Sequence, residues 1–329
     1  MSVVLVMAGQ ALMSPAAQAA DTGNTAPQTG KVVSDEPGRN APNILDGTVN
    51  TIAKVGNTIV VGGQFSQAQN YNTSTTLTRR NLLAFDATTG RILTTFAPDP
   101  LGVVYKVLPA ADGTSVYVAG GFGSAAGMTM PGRVFKVDVA TGTVDTAFTA
   151  PTISGDIRDL QVVGNRLFIA GKFTHINGIF QKALGSINAT TGRRDPWVNN
   201  VFAGLHNNRA GAVTSVLQIS VNKQNTRLMA VGNFTTVAGA NRHQIVQIDI
   251  TGAAPVVTSW DTNLFRSTCS AAFETYMSDV EYSPDGQFFV VSTTGAYGGL
   301  SGSMAGTSGC DVVARFEGGA TGLNAATWT

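Results

Sequence analysis

The sequence predicts an all-β chain: a β-propeller of four-stranded antiparallel blades, with five units visible across residues 45–329. Three observations predict it. A Gly-x-Phe motif behind an apolar run recurs every 51 to 61 residues. Each of these four recurrences is followed by an apolar strand that closes on an Asx…Gly turn signal. The composition suits strands and turns: there are 38 glycines and only 12% charged residues, against roughly 25% in an average protein. No long segment shows a helical period.

The motif occurs as Gly63-Gln64-Phe65, Gly120-Gly121-Phe122, Gly171-Lys172-Phe173 and Gly232-Asn233-Phe234. The runs before it are NTIVVG, TSVYVAG, NRLFIAG and TRLMAVG, each preceded by a Gly- or Asn-containing turn signal. Strand, turn, strand is the hairpin signature. The second marker is FDATTG (Asp86, Gly90), VDVATG (Asp138, Gly142), INATTG (Asn188, Gly192) and the shorter IDITG (Asp249, Gly252). An Asx side chain bonds the backbone ahead of it and glycine takes the left-handed position, which makes a turn. Phe96, Phe148, Trp197 and Trp260 form a third marker. A weaker fifth unit begins at MSDVEYSPDGQFFVVSTTG, with Asp285-Gly286 as its turn and a second hairpin in VVARFEGGATG. Four strands per unit of this length describe a propeller blade. The blades run over about 47–100, 101–153, 154–211, 212–269 and 270–329. The final Thr-Trp-Thr reads as the aromatic marker of the fifth.

Ahead of the repeat, MSVVLVMAGQALMSPAAQAAD joins a short apolar run to a small-residue site at Ala17-Gln18-Ala19. That pattern predicts a secretory signal over 1–20 and a polar leader over 21–44. The apolar run is too short to span a membrane. In an exported chain a disulfide between Cys269 and Cys310 is the expected pairing, two separate thiols being the alternative. Net charge is +1, with 21 basic and 20 acidic residues, which leaves no electrostatic footprint for nucleic acid or an anionic membrane.

The pattern V-G-G-x-F-[ST], followed by an apolar strand closed by D-A-T-T-G, resembles the delta-60 repeat β-propeller family of secreted, actinobacterial-type proteins. SDVEYSPDGQFFVVSTTGAYGG and the second cysteine resemble it also, and the resemblance covers most of the chain from Leu45. It implies a propeller that continues toward seven blades, so the sequence is expected to be a piece of a longer chain; a five-bladed ring is the alternative. The family brings no agreed catalytic residues.

The residues offer few candidates for chemistry. His175 aligns with Gln67 and Thr236, and so reads as a loop decoration. A basic residue opens the third strand of four units: Arg80, Lys182 and His243 lie six residues before the Asx marker, and Arg133 five. Arg80, Arg133, Lys182 and His243 form either a ring facing an anionic ligand or four local, solvated pairs. Asp99, Asp195 and Asp261 flank the aromatic markers, in APDP, RDPW and SWD, but no loop has the alternating oxygen ligands of a strong calcium site. No phosphate loop, nucleophile elbow or zinc spacing occurs, and no cofactor or metal is expected. The expected function is a secreted, non-enzymatic recognition or scaffold module that binds protein or cell-envelope glycan through inter-blade loops. The alternative is a propeller glycoside hydrolase or lyase with carboxylates at a central channel. A third reading is an adhesive part of a larger surface protein.

Overall fold

Each apolar run and its turn signal fold into the expected hairpin. The computed structural model describes residues 40–209, 211–267, 269–270, 272–294 and 309–329. The expected signal segment, most of the leader and most of the Gly/Ser-rich insertion before Cys310 lie outside the described residues. The last residues assigned to the leader are already in a sheet, because Asn43–Ile44 pairs with Gln67–Gln69. Among the described residues there is no α-helix, only a 3-10 turn at Leu264–Arg266. None of their helices is long and apolar enough to cross a membrane.

The chain is all-β, built of small antiparallel sheets, and the larger ones come one per unit. In unit 3, Asp156–Val163, Arg166–Lys172, Leu184–Asn188 and Arg194–Asp195 pair in chain order. In unit 4, Gln218–Val221, Arg227–Val231, Ile245–Asp249 and Val256–Val257 do the same. Units 1, 2 and 5 have three full strands: Thr48–Val55, Thr58–Gln64, Leu82–Asp86; Val104–Pro109, Ser115–Gly120, Val134–Asp138; and Met277–Tyr282, Phe288–Thr293, Val313–Glu317. There the expected fourth strand shrinks to single bridges, Phe85 to Ile92, Val137 to Val144 and Arg315 to Trp328. In units 1 and 2 the buried Phe96 and Phe148 follow a few residues after the bridge. The third bridge corrects the reading of the final Thr-Trp-Thr. Trp328 stands at the fourth-strand position and is 48% exposed, whereas the markers Phe96 and Trp260 are fully buried.

The Gly-x-Phe motif has a steric cause. In units 1 to 4 the first strand, or the segment leading into it, passes so close to the end of the second that a Cβ on Gly63, Gly120, Gly171 or Gly232 would lie 2.0–2.2 Å from the carbonyl oxygen of Thr48, Val103, Asp156 or Ser215. Only glycine fits such an approach. The aromatic two residues on is buried in every case: Phe65, Phe122, Phe173 and Phe234. Unit 5 departs from the motif. Thr293 pairs with Met277 as Gly171 pairs with Ile157, and its hydroxyl accepts a bond from the Val312 N–H at 2.9 Å.

The Asx markers are turns. Asp86, Asp138 and Asn188 each accept two N–H bonds from the next residues but one and two, at 2.7–3.0 Å. Gly90, Gly142 and Gly192 take φ of +70° to +74°. Asp249, in the shorter version, accepts one such N–H bond, from Thr251. Between the second and third strands lies a feature the sequence reading treated as loop, a small hairpin. His175–Ile176 pairs with Ile179–Phe180 across Asn177-Gly178, whose φ values of +53° and +74° make a two-residue left-handed turn. Ala126-Gly127 and Ala238-Gly239 repeat it. Gln67, His175 and Thr236 all open the hairpin strand, as aligned.

The cores lie between units. Val60, Leu82 and Phe96 of unit 1 cluster with Val104, Val107 and Phe122 of unit 2. Similar clusters join units 2 and 3, 3 and 4, and 4 and 5. In unit 5 the Cys269–Cys310 disulfide is formed, with a sequence separation of 41, worth about 4 kcal/mol in the chain-entropy picture.

The steric account makes a prediction. Gly171→Ala should cost at least about 2 kcal/mol in denaturant unfolding, through the forced shift of the Asp156 carbonyl. His175→Gln, which takes the residue found in unit 1, should stay within about 0.5 kcal/mol of the parent. Equal losses for the two variants would contradict the repeat alignment.

Candidate functional site

The first strands of successive units pack side by side and bring polar side chains together. Four of them carry a bulge, between Val49 and Thr51, Val104 and Lys106, Ile157 and Asp159, and Met277 and Asp279. The bulge resets the alternation, so the next residue is polar and the one after it apolar: Val107, Leu160 and Val280 are buried, with Ile219 at the same position in unit 4. The polar side chains bind the next unit's backbone. Thr51 Oγ1 accepts the Val107 N–H at 3.1 Å, Asp159 Oδ2 the Ile219 N–H at 2.8 Å, and Ser220 Oγ the Tyr282 N–H at 2.9 Å.

Asp159 is the most enclosed carboxylate of this row, 1% exposed, with Lys106 Nζ at 2.7 Å. Burial pushes its carboxyl up, against the pull of Lys106 and of the Ile219 and Leu160 N–H groups. Glu281 of unit 5 is also pushed up, first by desolvation and then by Asp279 and Asp159, with Lys106 opposing. A second network begins at the start of the same strand of unit 3. Asp156 meets Arg133 at 3.2 Å and Arg158 at 3.8 Å. Its cross-strand partner Lys172 reaches Glu274 at 2.5 Å, and Glu274 also meets Arg209 at 3.6 Å. Arg158 lies on the Tyr105 ring, 3.8 Å from its centroid.

The four basic candidates separate. Asn81, Arg133, Ala183 and Gln244 share one position: each has positive φ, and its carbonyl accepts the N–H of the motif glycine. Arg133 therefore stands one residue later than Arg80, Lys182 and His243, and the predicted ring has no common register. The exposed Arg80 accompanies Asp99, whose carboxylate accepts its N–H at 3.2 Å. Lys182 lies over Phe180 at 5.9 Å, and His243 meets His206 with ring centroids 5.9 Å apart. Only Arg133 joins a charged network that spans several units.

The remaining candidates are used structurally. Phe96, Phe148 and Trp260 are buried, and the half-buried Trp197 has Arg166 over its ring at 4.1 Å. Asp195 pairs with Arg166, and Asp261 with Arg266 and Arg242. Among the described residues no group of three or more His, Cys, Asp or Glu side chains stands where it could hold a metal ion. His206 packs edge-on against His243 and Tyr276, and its Nε2 lies 3.0 Å from the Ser267 carbonyl. Both imidazoles are held below their ordinary value of 6.5, His206 by burial, and His243 by burial and then by the charge of Arg266.

No family model matches the chain, and no curated protein matches it. Among solved structures, the chain is similar to Kuenenia stuttgartiensis hydrazine synthase at 15% identity and a TM-score of 0.45, over 88% of this chain and 66% of that one. It is also similar to a putative 6-phosphogluconolactonase from Bacteroides uniformis (16% identity, TM-score 0.44, 82% and 67% covered). The computationally designed protein Ika4 follows at 13% identity and a TM-score of 0.36, with 58% and 90% covered. Likenesses this distant carry no argument about function, and the chain spans about two thirds of the length of the two natural proteins.

Two outcomes follow. Lys106→Ala should cost about 3 kcal/mol in denaturant unfolding, because it strands a buried carboxylate. Lys106→Met combined with Asp159→Asn, which keeps an acceptor for Ile219, should cost less. For the histidines, the folded state prefers the neutral ring and the unfolded chain binds the proton more readily. Stability is therefore held above pH 6.5 and declines as pH falls through that value. A thermal melt series from pH 8 to 5 should show this slope, and His206→Gln should flatten it.

Proposed function

We propose that the five units are successive blades of a β-propeller of the delta-60 repeat kind, and that the chain acts as a secreted, non-enzymatic recognition module. Its ligand is cell-envelope glycan or protein, met on the face where strand-joining loops and hairpins project. One observation carries this reading: the polar side chains of the first strands hold neighbouring units in place. Thr51, Asp159 and Ser220 are each spent on the backbone of the next unit. A scaffold cross-linked this way is rigid, and binding residues collect on the loops that a rigid scaffold positions. A ring with more than five blades is supported by unit 1. Ile52 is 66% exposed there, while its equivalents Val107, Leu160, Ile219 and Val280 are at most 3% exposed against the preceding unit.

The alternative, a secreted glycoside hydrolase or lyase on the same scaffold, is favoured by a different observation. Asp159 and Glu281, from units 3 and 5, are carboxyls pushed upward and coupled through Lys106, and a raised carboxyl is what a general acid requires. Glycan-array binding and cell-envelope pull-down with the full chain test the first reading, and a reducing-end release assay tests the second. Specific capture without turnover supports recognition. Turnover lost in both Asp159→Asn and Glu281→Gln supports the enzyme, and silence in the capture assays removes the recognition reading.

A further inference from the structure

We propose that the network of Arg133, Asp156, Arg158, Lys172, Arg209 and Glu274 binds an acid-bearing glycan. The guanidinium and ammonium groups take its carboxylate or phosphate groups, and the two carboxylates accept its hydroxyls. The proposal rests on the recognition reading above and names the ligand class.

The first ground is charge. Four cations share two carboxylates, each carboxylate held by two cations, in a chain whose net charge is only +1. Ion pairing alone needs no such excess. The second is continuity. Asp156 and Lys172 stand opposite each other on one hairpin of unit 3. Arg133 reaches Asp156 from unit 2, Glu274 reaches Lys172 from the segment before the first strand of unit 5, and Arg209, from the loop before the first strand of unit 4, meets Glu274. The network thus draws residues from three units, 2, 3 and 5, as a ligand longer than one sugar requires.

The third ground is preorganisation with donors to spare. Arg158 is held on the Tyr105 ring, 3.8 Å from its centroid, with its side chain 26% exposed. A guanidinium offers five donors in a planar fork matched to carboxylate and phosphate, and Asp156 at 3.8 Å leaves that fork unsatisfied. Arg209 is 47% exposed and touches Glu274 only at 3.6 Å. Access is open as well. Beside Asp156 the motif's middle residue is Gly121, where the other three units carry Gln64, Lys172 and Asn233. A Cβ there would stand 3.1 Å from the Asp156 carboxylate.

The alternation of cation and carboxylate selects among polyanions. An acidic peptide sets its charges against Asp156 and Glu274 and has few hydroxyls for them. A uronate or sugar phosphate supplies an acid for each fork and hydroxyls for each carboxylate.

Affinity electrophoresis of the full chain through gels containing polygalacturonate, phosphomannan, poly-glutamate or dextran tests this. Retardation is expected from one or both acid glycans, the pair separating carboxylate from phosphate as the recognised group. It should be lost as salt rises from about 0.05 to 0.5 M. Arg158→Gln and Lys172→Gln should each weaken binding about tenfold, and Arg80→Gln, outside the network, should leave it unchanged. If Arg158→Gln lowers the melting temperature, Arg209→Gln, the most exposed member, serves instead. No retardation by either acid glycan overturns the assignment, as does equal binding by poly-glutamate or by the Lys172 and Arg209 variants. A chain that captures a neutral glycan or a protein while failing here keeps its recognition role and loses only this site.

Discussion

A sheet of three or four strands with two apolar faces cannot bury itself, and the rest of this structure depends on that constraint. Successive units cover each other's faces, so four of the five core clusters belong to the junctions. The cluster joining Phe168, Ala170 and Leu184 to Val216, Ile219 and Phe234 is a shared possession of units 3 and 4. Such junctions need the first strands to approach closely and in register. The bulges set the register in four of the five first strands, and the motif glycines let each first strand close on the second strand of its own unit. Polar side chains of the first strands, Thr51, Asp159 and Ser220, are lateral ties, and they lie away from the exposed loops where a sequence reading looks for chemistry.

Much of the architecture was legible because its causes are local. The glycine of Gly-x-Phe meets a carbonyl in every one of the four units, so each unit needs it and the repeat survives in the letters. The Asx turns are equally local, each closing on its own backbone. The Asn177-Gly178 hairpin was legible in principle from its dipeptide, but its siblings are Ala-Gly, and averaging over the units hid it. The shortened fourth strands were not legible, since the aromatic marker that follows them is buried both where the strand shrinks, at Phe96, and where it forms, at Trp260.

The candidate site was largely hidden because its members are non-equivalent by design. At the position after the bulge stand Thr51, Lys106, Asp159, Gln218 and Asp279, which share polarity and nothing else. A search for repeated residues discards such a column. Its uniform polarity beside a column of Val, Leu and Ile was the available signal. The basic column of Arg80, Lys182 and His243 did repeat, yet its members meet unrelated partners, and the cation that reaches across units is Arg133, one residue out of step.

The disulfide gives the molecule a direction when it is pulled. A chain of stacked units under tension yields at its weakest junction and pays out length as each sheet unravels. The stretch between Cys269 and Cys310, a separation of 41 residues, would otherwise extend by about 140 Å. While the bond is closed that length is withheld, and the fifth unit stays short and stiff while its neighbours extend. A reducing environment would release it, so the same chain has two contour lengths set by the redox state of its surroundings.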